Sequence, residues 1–253
     1  MILASLLLAL ATCAPKAGVD QAAIDAYRRG NYDSAKSLWI AALEAGKDES
    51  GAPLPARERA RILHDLGNAA FRLDEPLEAV GWYTASLRLR PRDGETWTNL
   101  EHARRTAKLE PADKGDLAAT LWRLLTSVTL AESQWIALLA AAAWAAVLAL
   151  EAWRGGRVYR RLAYVATGLA IASLVPWIVH QSRADRDTIL VVAAEEGGAG
   201  VHSEPRPDAA VVANAAAGVE LDRLDELPGW VKVVAPDRTT GWIESRAAFD
   251  LRR

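Results

Sequence analysis

The sequence predicts a multidomain α + β architecture, in which an α-solenoid of paired helices is followed by a two-helix transmembrane hairpin and a small C-terminal β-barrel. Three observations carry this prediction. Apolar residues recur at helical spacing from Val19 to about Lys108. Two uncharged apolar stretches, Trp135 to Leu150 and Leu162 to Val179, flank a short loop with Arg154, Arg157, Arg160 and Arg161. From Thr188 onward the pattern changes to short β-rich runs separated by turn residues.

Bulk composition hides this division, because a very apolar middle and two soluble flanks average to a mean hydropathy of +0.01. A net charge of -2 over 253 residues leaves no basic footprint for nucleic acid, and that partner class is set aside. The single thiol, Cys13, has no partner for an intramolecular disulfide. His64, His102, His180 and His202 are far apart, with no thiol or carboxylate at ligand spacing, so neither a metal nor a cofactor is expected.

The chain opens with the apolar run Ile2 to Ala11, which has the length of a signal-peptide core, and residues 1–14 are read as an export signal. Leu10-Ala11-Thr12-Cys13 resembles a lipoprotein cleavage box. Cys13 is then either acylated or lost with the signal.

Residues 19–110 read as helix pairs interrupted at Gly30-Asn31, Gly46-Lys47 and Pro91-Arg92. The unit from Ala60 to Asp93, with Leu63, Leu66, Gly67, Ala70, Ala79, Tyr83 and Pro91, matches the spacing of the 34-residue tetratricopeptide repeat. Gly67 and Ala79 are small where the two helices cross, and Leu66 and Tyr83 fill the space beside the crossing. An earlier copy runs through Tyr32, Ala35, Trp39 and Ala42, and a third begins at Gly94 with Trp97 and Leu100. Glu101 takes the place of the small glycine there, which makes the last helix a cap.

Residues 111–133 carry Leu117, Leu121, Trp122, Leu124, Leu125 and Val128 around a helix. That helix lies on the membrane surface, continues the first transmembrane helix or packs on the repeats. The transmembrane helices are expected at 134–153 and 162–181, with a cytoplasmic loop at 154–161. Helices of this length cover the roughly 30 Å hydrocarbon thickness, and the arginines mark the cytoplasmic side. Trp135, Trp153, Tyr159 and Trp177 fall near the expected interfaces. Neither apolar stretch contains an Asp, Glu, Lys or Arg, so no ion pathway is indicated.

Strands are expected at Ile189 to Ala193, Val211 to Ala213, Val219 to Leu224, Trp230 to Val234 and Gly241 to Ile243, with a turn at the glycine cluster Gly197 to Gly200. Gly229-Trp230-Val231-Lys232-Val233, followed by Gly241-Trp242-Ile243, resembles the last strands of bacterial SH3 domains. Residues 188–253 are therefore read as an SH3-like β-barrel.

No Gly-x-x-x-x-Gly-Lys, Gly-x-Ser-x-Gly or His-Glu-x-x-His motif occurs in the chain. Binding is the function that remains. In tetratricopeptide repeats the first helix of each pair lines a groove, and its usual groove positions fall on Asp20, Ile24 and Tyr27, on His64, Asn68 and Phe71, and on Thr98, His102 and Arg105. Asn68 with Arg105 offers donors to a peptide carboxylate, against the alternative of an ordinary solvated groove. Trp230 and Trp242 are either ligand-facing aromatics or barrel core.

The order of parts, with Leu66-Gly67-Asn68-Ala69-Ala70-Phe71, Asn99-Leu100-Glu101-His102-Ala103-Arg104, an arginine-looped hairpin and a barrel, resembles the BatE-like aerotolerance-operon proteins. That resemblance implies a non-enzymatic protein of the bacterial inner membrane, linked to stress or oxygen tolerance. It implies work beside von Willebrand factor A-type membrane proteins and a MoxR-type ATPase. The expected function is a scaffold whose extracytoplasmic repeats and barrel bind protein partners. The alternative is an envelope sensor that binds peptidoglycan through the barrel. Topology reporters test the arrangement: fusions at Pro111 and Arg253 should read extracytoplasmic and one at Gly156 cytoplasmic, and any other result breaks it.

Overall fold

The computed structural model describes residues 19–47, 52–111, 124–125, 127–184, 187–193 and 198–251. The expected signal at 1–14, Cys13 and most of the expected juxtamembrane helix lie outside the described residues. The N-terminal part forms five helices: α1 (Val19–Arg28), α2 (Tyr32–Ala45), α3 (Ala56–Arg72), α4 (Pro76–Leu89) and α5 (Gly94–Thr106). Their ends follow local chemistry. The Asn31 side chain accepts from the Ser34 amide to start α2, and Gly46, at φ 64°, closes it with its N–H on the Ala42 and Leu43 carbonyls. Pro76 opens α4, and α4 stops at Leu89, two residues before Pro91.

Successive helices pack as hairpins around a core that includes Ala23, Trp39, Leu63, Leu66, Ala70, Ala79 and Tyr83. Gly67 permits the closest approach, because a Cβ there would lie 2.5 Å from the Tyr83 ring. The small residue expected at the α3–α4 crossing therefore has a definite steric cause.

Helices α6 (Leu130–Arg154) and α7 (Arg157–Ala184) form an antiparallel pair. Both are longer than the sequence suggests, since the expected loop at 154–161 reduces to Gly155 and Gly156, at φ 63° and 103°. Only glycine adopts such a pair of angles readily, and the arginines flanking it belong to the helix ends. Within the pair, Trp144 Nε1 donates to Thr167 Oγ1 at 2.9 Å. The outward faces stay bare: Leu139 is 66% exposed, Leu169 65% and Trp153 79%. Both helices are long and apolar enough to cross a membrane.

The C-terminal part is a seven-stranded antiparallel sheet in the order β3-β2-β6-β5-β4-β1-β7. Its strands are β1 (Thr188–Val191), β2 (Ala199–His202), β3 (Val211–Ala215), β4 (Glu220–Leu227), β5 (Trp230–Val234), β6 (Thr240–Glu244) and β7 (Ala248–Asp250). Two of these, β2 and β7, differ from the expected set. The glycine cluster leads straight into β2, where Gly200 sits opposite Asn214 of β3. One core cluster holds Ile189, Val191, Val201, Val231, Val233 and Ile243.

The helices and the sheet are not independent modules. Leu190, Phe249 and Leu251 belong to the core of the helical part. The Phe249 ring meets Trp82 of α4 edge to face, with centroids 4.7 Å apart and planes at 87°, and lies so close to Gly81 that a Cβ there would be 2.6 Å from its Cγ. Arg88 Nη2 donates to Thr188 Oγ1 and to Glu220 Oε2, each at 2.7 Å. All four residues of β1 are buried because Ile189 and Val191 face the sheet core while Leu190 faces the helices.

Phe249→Ala should cost about 3–5 kcal/mol, the usual range for deleting a buried phenylalanine ring. Differential scanning calorimetry should then show the helical and sheet parts melting apart, where the native chain melts them together.

Candidate functional site

On the face formed by α1, α3 and α5, a cavity of about 110 Å³ is lined by Tyr27, Asn68, Phe71, Arg72, Tyr83, Asn99 and His102. Asn68 occupies its centre by virtue of a fixed amide. Its Oδ1 accepts from Tyr83 Oη at 2.8 Å and from Asn99 Nδ2 at 3.1 Å, which sets the orientation of the group. Both protons on Asn68 Nδ2 then have no acceptor among the described residues. Burial pushes the Tyr83 phenol well above its ordinary pKa, so it remains a donor.

The rings of Phe71 and His102 lie 4.9 Å apart on one wall. On the other, Arg72 and Tyr27 both line the cavity, and the Arg72 guanidinium lies 5.8 Å from the centre of the Tyr32 ring. The cavity thus combines amide and guanidinium donors with aromatic walls. Its volume suits one side chain or one small acceptor group, and is well below the roughly 300 Å³ at which drug-sized sites begin.

Of the groove positions expected from the sequence, Tyr27, Asn68, Phe71 and His102 meet at this cavity. The rest serve other contacts. Asp20 Oδ1 accepts from Trp39 Nε1 and its Oδ2 lies 2.6 Å from Arg61, while Ile24 packs on the core. His64 Nδ1 is 2.7 Å from Thr96 Oγ1, and burial lowers its pKa. Thr98 donates to the Gly94 carbonyl. Arg105 donates from Nε to the Glu101 carbonyl within its own helix and does not line the cavity. The cation at the cavity is Arg72, one helical turn beyond Asn68 on α3, where the i, i+4 spacing puts both on one face. That spacing was the available signal. Asn99 and Tyr83 were visible only as parts of packing motifs.

The sheet presents a second cluster. In β5 the alternation turns Val231 and Val233 into the core and leaves Trp230 and Lys232 on the other face. Trp242 joins them there: it is buried, but its cover includes Lys232, whose Nζ is 5.6 Å from the ring centre. The His202 ring meets Trp230 edge to face at 5.4 Å, and His202 Nδ1 donates to the Ala209 carbonyl at 3.0 Å.

Residues 197–247 match the family model of the bacterial SH3 domain. The match includes β2 to β6 and the whole His202, Trp230, Lys232 and Trp242 cluster, and leaves out β1 and β7, the two strands that join the sheet to the helices. No curated protein matches the chain.

Nearer the start of α3, Arg61 lies between Asp20 at 2.6 Å, Glu58 at 2.5 Å and Asp65 at 2.9 Å. Burial, reinforced by the neighbouring carboxylates Asp20, Glu58 and Glu95, pushes Asp65 up to about 6 despite Arg61. A carboxyl raised in the folded state stabilises fully below its ordinary pKa near 4, and that stability is lost as pH rises through 6. Thermal melts of the Asp65→Asn variant should lack this decline, so that its stability relative to the native chain rises by on the order of 2 kcal/mol between pH 4 and pH 7. Parallel pH profiles would show that Asp65 does not titrate in this range.

Proposed function

We propose that this chain is a non-enzymatic scaffold anchored in the bacterial inner membrane, with the helical part and the SH3 domain on its extracytoplasmic side. The bare apolar faces of α6 and α7 support the anchor, since a water-soluble protein rarely exposes contiguous apolar surface on this scale. Arg154, Arg157, Arg160 and Arg161 at one end of the pair support the orientation. The α-hairpins are read as tetratricopeptide repeats that hold a segment of a partner protein, on the steric fit at Gly67 and Tyr83.

One observation carries the scaffold reading. The C-terminal sheet covers the α4 side of the helices through Phe249 of β7, a strand outside the SH3 match, and leaves the Asn68 cavity open on the other side. A single body therefore offers two separate binding faces. By resemblance to BatE-like proteins, the partners are von Willebrand factor A-type membrane proteins in a complex with a MoxR-type ATPase. Mild crosslinking of the intact protein in native membranes, followed by pull-down, should recover protein partners. The double variant Asn68→Ala/Arg72→Ala should recover at least one of them tenfold less. Equal recovery of every partner would remove the cavity as the docking point.

The aromatic and cationic cluster of the SH3 domain supports a second reading, an envelope sensor that binds peptidoglycan. In that case the full chain should sediment with purified cell wall, and Trp230→Ala should release it; sedimentation of neither form would exclude this reading.

A further inference from the structure

The turn between α4 and α5, Pro91-Arg92, lies at the foot of the anchor helices. Arg92 Nη1 is 2.9 Å from Glu132 Oε1 in the first turn of α6, where Glu132 also completes a capping box with Thr129. Ser133, the next residue, is 0% exposed on a helix that is otherwise bare, so this first turn of α6 is covered by protein. The other helix is tied to the same place, because only residues 185–187 separate the end of α7 from Thr188, which accepts from Arg88 three residues before Pro91. Fully extended, that connection spans no more than about 14 Å.

The aromatic residues fix the level of the bilayer. Eighteen residues separate Trp135 from Trp153 on α6 and Tyr159 from Trp177 on α7. At 1.5 Å per residue each pair is about 27 Å apart, close to the hydrocarbon thickness. Glu132 is three residues outside Trp135, about 4.5 Å along the axis, and the headgroup layer on each side is about 5–7 Å deep. Glu132 and the arginine bound to it therefore fall within that layer.

We propose that the Pro91-Arg92 turn rests in the lipid headgroup layer and that Arg92 binds a lipid phosphate there. The guanidinium has the capacity: its side chain is 58% exposed, Nη1 takes Glu132, and Nε and Nη2 have no partner among the described residues. These two parallel donors match the geometry of a phosphate. The turn itself is held in place by Trp97, whose Nε1 donates to the Pro91 carbonyl at 2.9 Å. Such a contact sets the helical part against the membrane surface, so that the anchor acts as a mount and not as a tether. This inference rests on the membrane anchor proposed above.

The test uses the full chain with Cys13→Ser in nanodiscs of 70% phosphatidylcholine and 30% phosphatidylglycerol. Spin labels are placed at Leu139→Cys in α6 and at Gly94→Cys, where an added side chain meets nothing within 4 Å. Depth is then read from collision with oxygen and with a water-soluble nickel reagent. The Leu139 label should report the bilayer interior and the Gly94 label the headgroup layer. Arg92→Glu should move the Gly94 label outward by several ångströms, Arg92→Lys should move it less, and excess inorganic phosphate should leave it in place. A Gly94 label at bulk-water accessibility, with Leu139 still in the bilayer, overturns the docking and leaves the anchor intact. A Leu139 label in water overturns the anchor itself. A depth unchanged in Arg92→Glu, or displaced by inorganic phosphate, overturns the lipid phosphate contact.

Discussion

Helix α4 is enclosed on nearly every side, and the rest of the fold depends on that enclosure. Adjacent residues of this one helix serve opposite bodies, with Trp82 against Phe249 of the sheet and Tyr83 against Gly67 of α3. Two glycines make both contacts possible: Gly67 admits the Tyr83 ring, and Gly81 admits the Phe249 ring. Tyr83 in turn orients Asn68 through its hydroxyl. The donor at the centre of the cavity is thus set by a helix whose own position is set from behind by the sheet. A well-packed interior transmits such displacement, because neighbouring side chains have no free volume to absorb it.

This linkage changes what a two-module protein can do. Separate domains on a flexible linker can each bind and release independently of the other. Here the α4 side is occupied permanently, and the surfaces that remain are the Asn68 cavity, the aromatic cluster around Trp230 and the faces of the apolar helices. Partners held at these surfaces keep a fixed distance and angle, which suits a scaffold better than a flexible recruiting arm. On α3, burial raises the pKa of Asp65 and lowers that of His64, so it favours the uncharged form of both groups.

Much of this was legible in the residues. The helical spacing, the Gly-Asn, Gly-Lys and Pro-Arg turns and the apolar stretches marked the helical segments, because each signal is local, whereas the break between α3 and α4 before Pro76 followed only from the repeat spacing. The central SH3 strands were legible for the same reason, through the alternation of Trp230 to Val234. The contacts between parts were not legible. Phe249 sits in a three-residue strand with no pattern of its own, and its role comes only from pairing with β1, some sixty residues earlier in the chain. Strand β2 was hidden by the glycines that precede it, which suit a turn equally well. At the cavity the sequence pointed to Arg105, but its side chain turns back to the Glu101 carbonyl, and the cation that lines the cavity is Arg72.

The pairing of β7 with β1 also sets an order on biosynthesis. The helical part is translated first, yet its core includes Leu190, Phe249 and Leu251 from the last quarter of the chain. Domains ordinarily fold as the N-terminal segments emerge. In this chain α4 keeps Trp82 uncovered until the apolar helices and then the final strand have been made. A product that stops short of Phe249 carries an exposed apolar face on α4, the kind of surface that chaperones and proteases recognise. The C-terminal strand is therefore a completion mark: only a full-length chain, with both apolar helices already synthesised, closes the helical core.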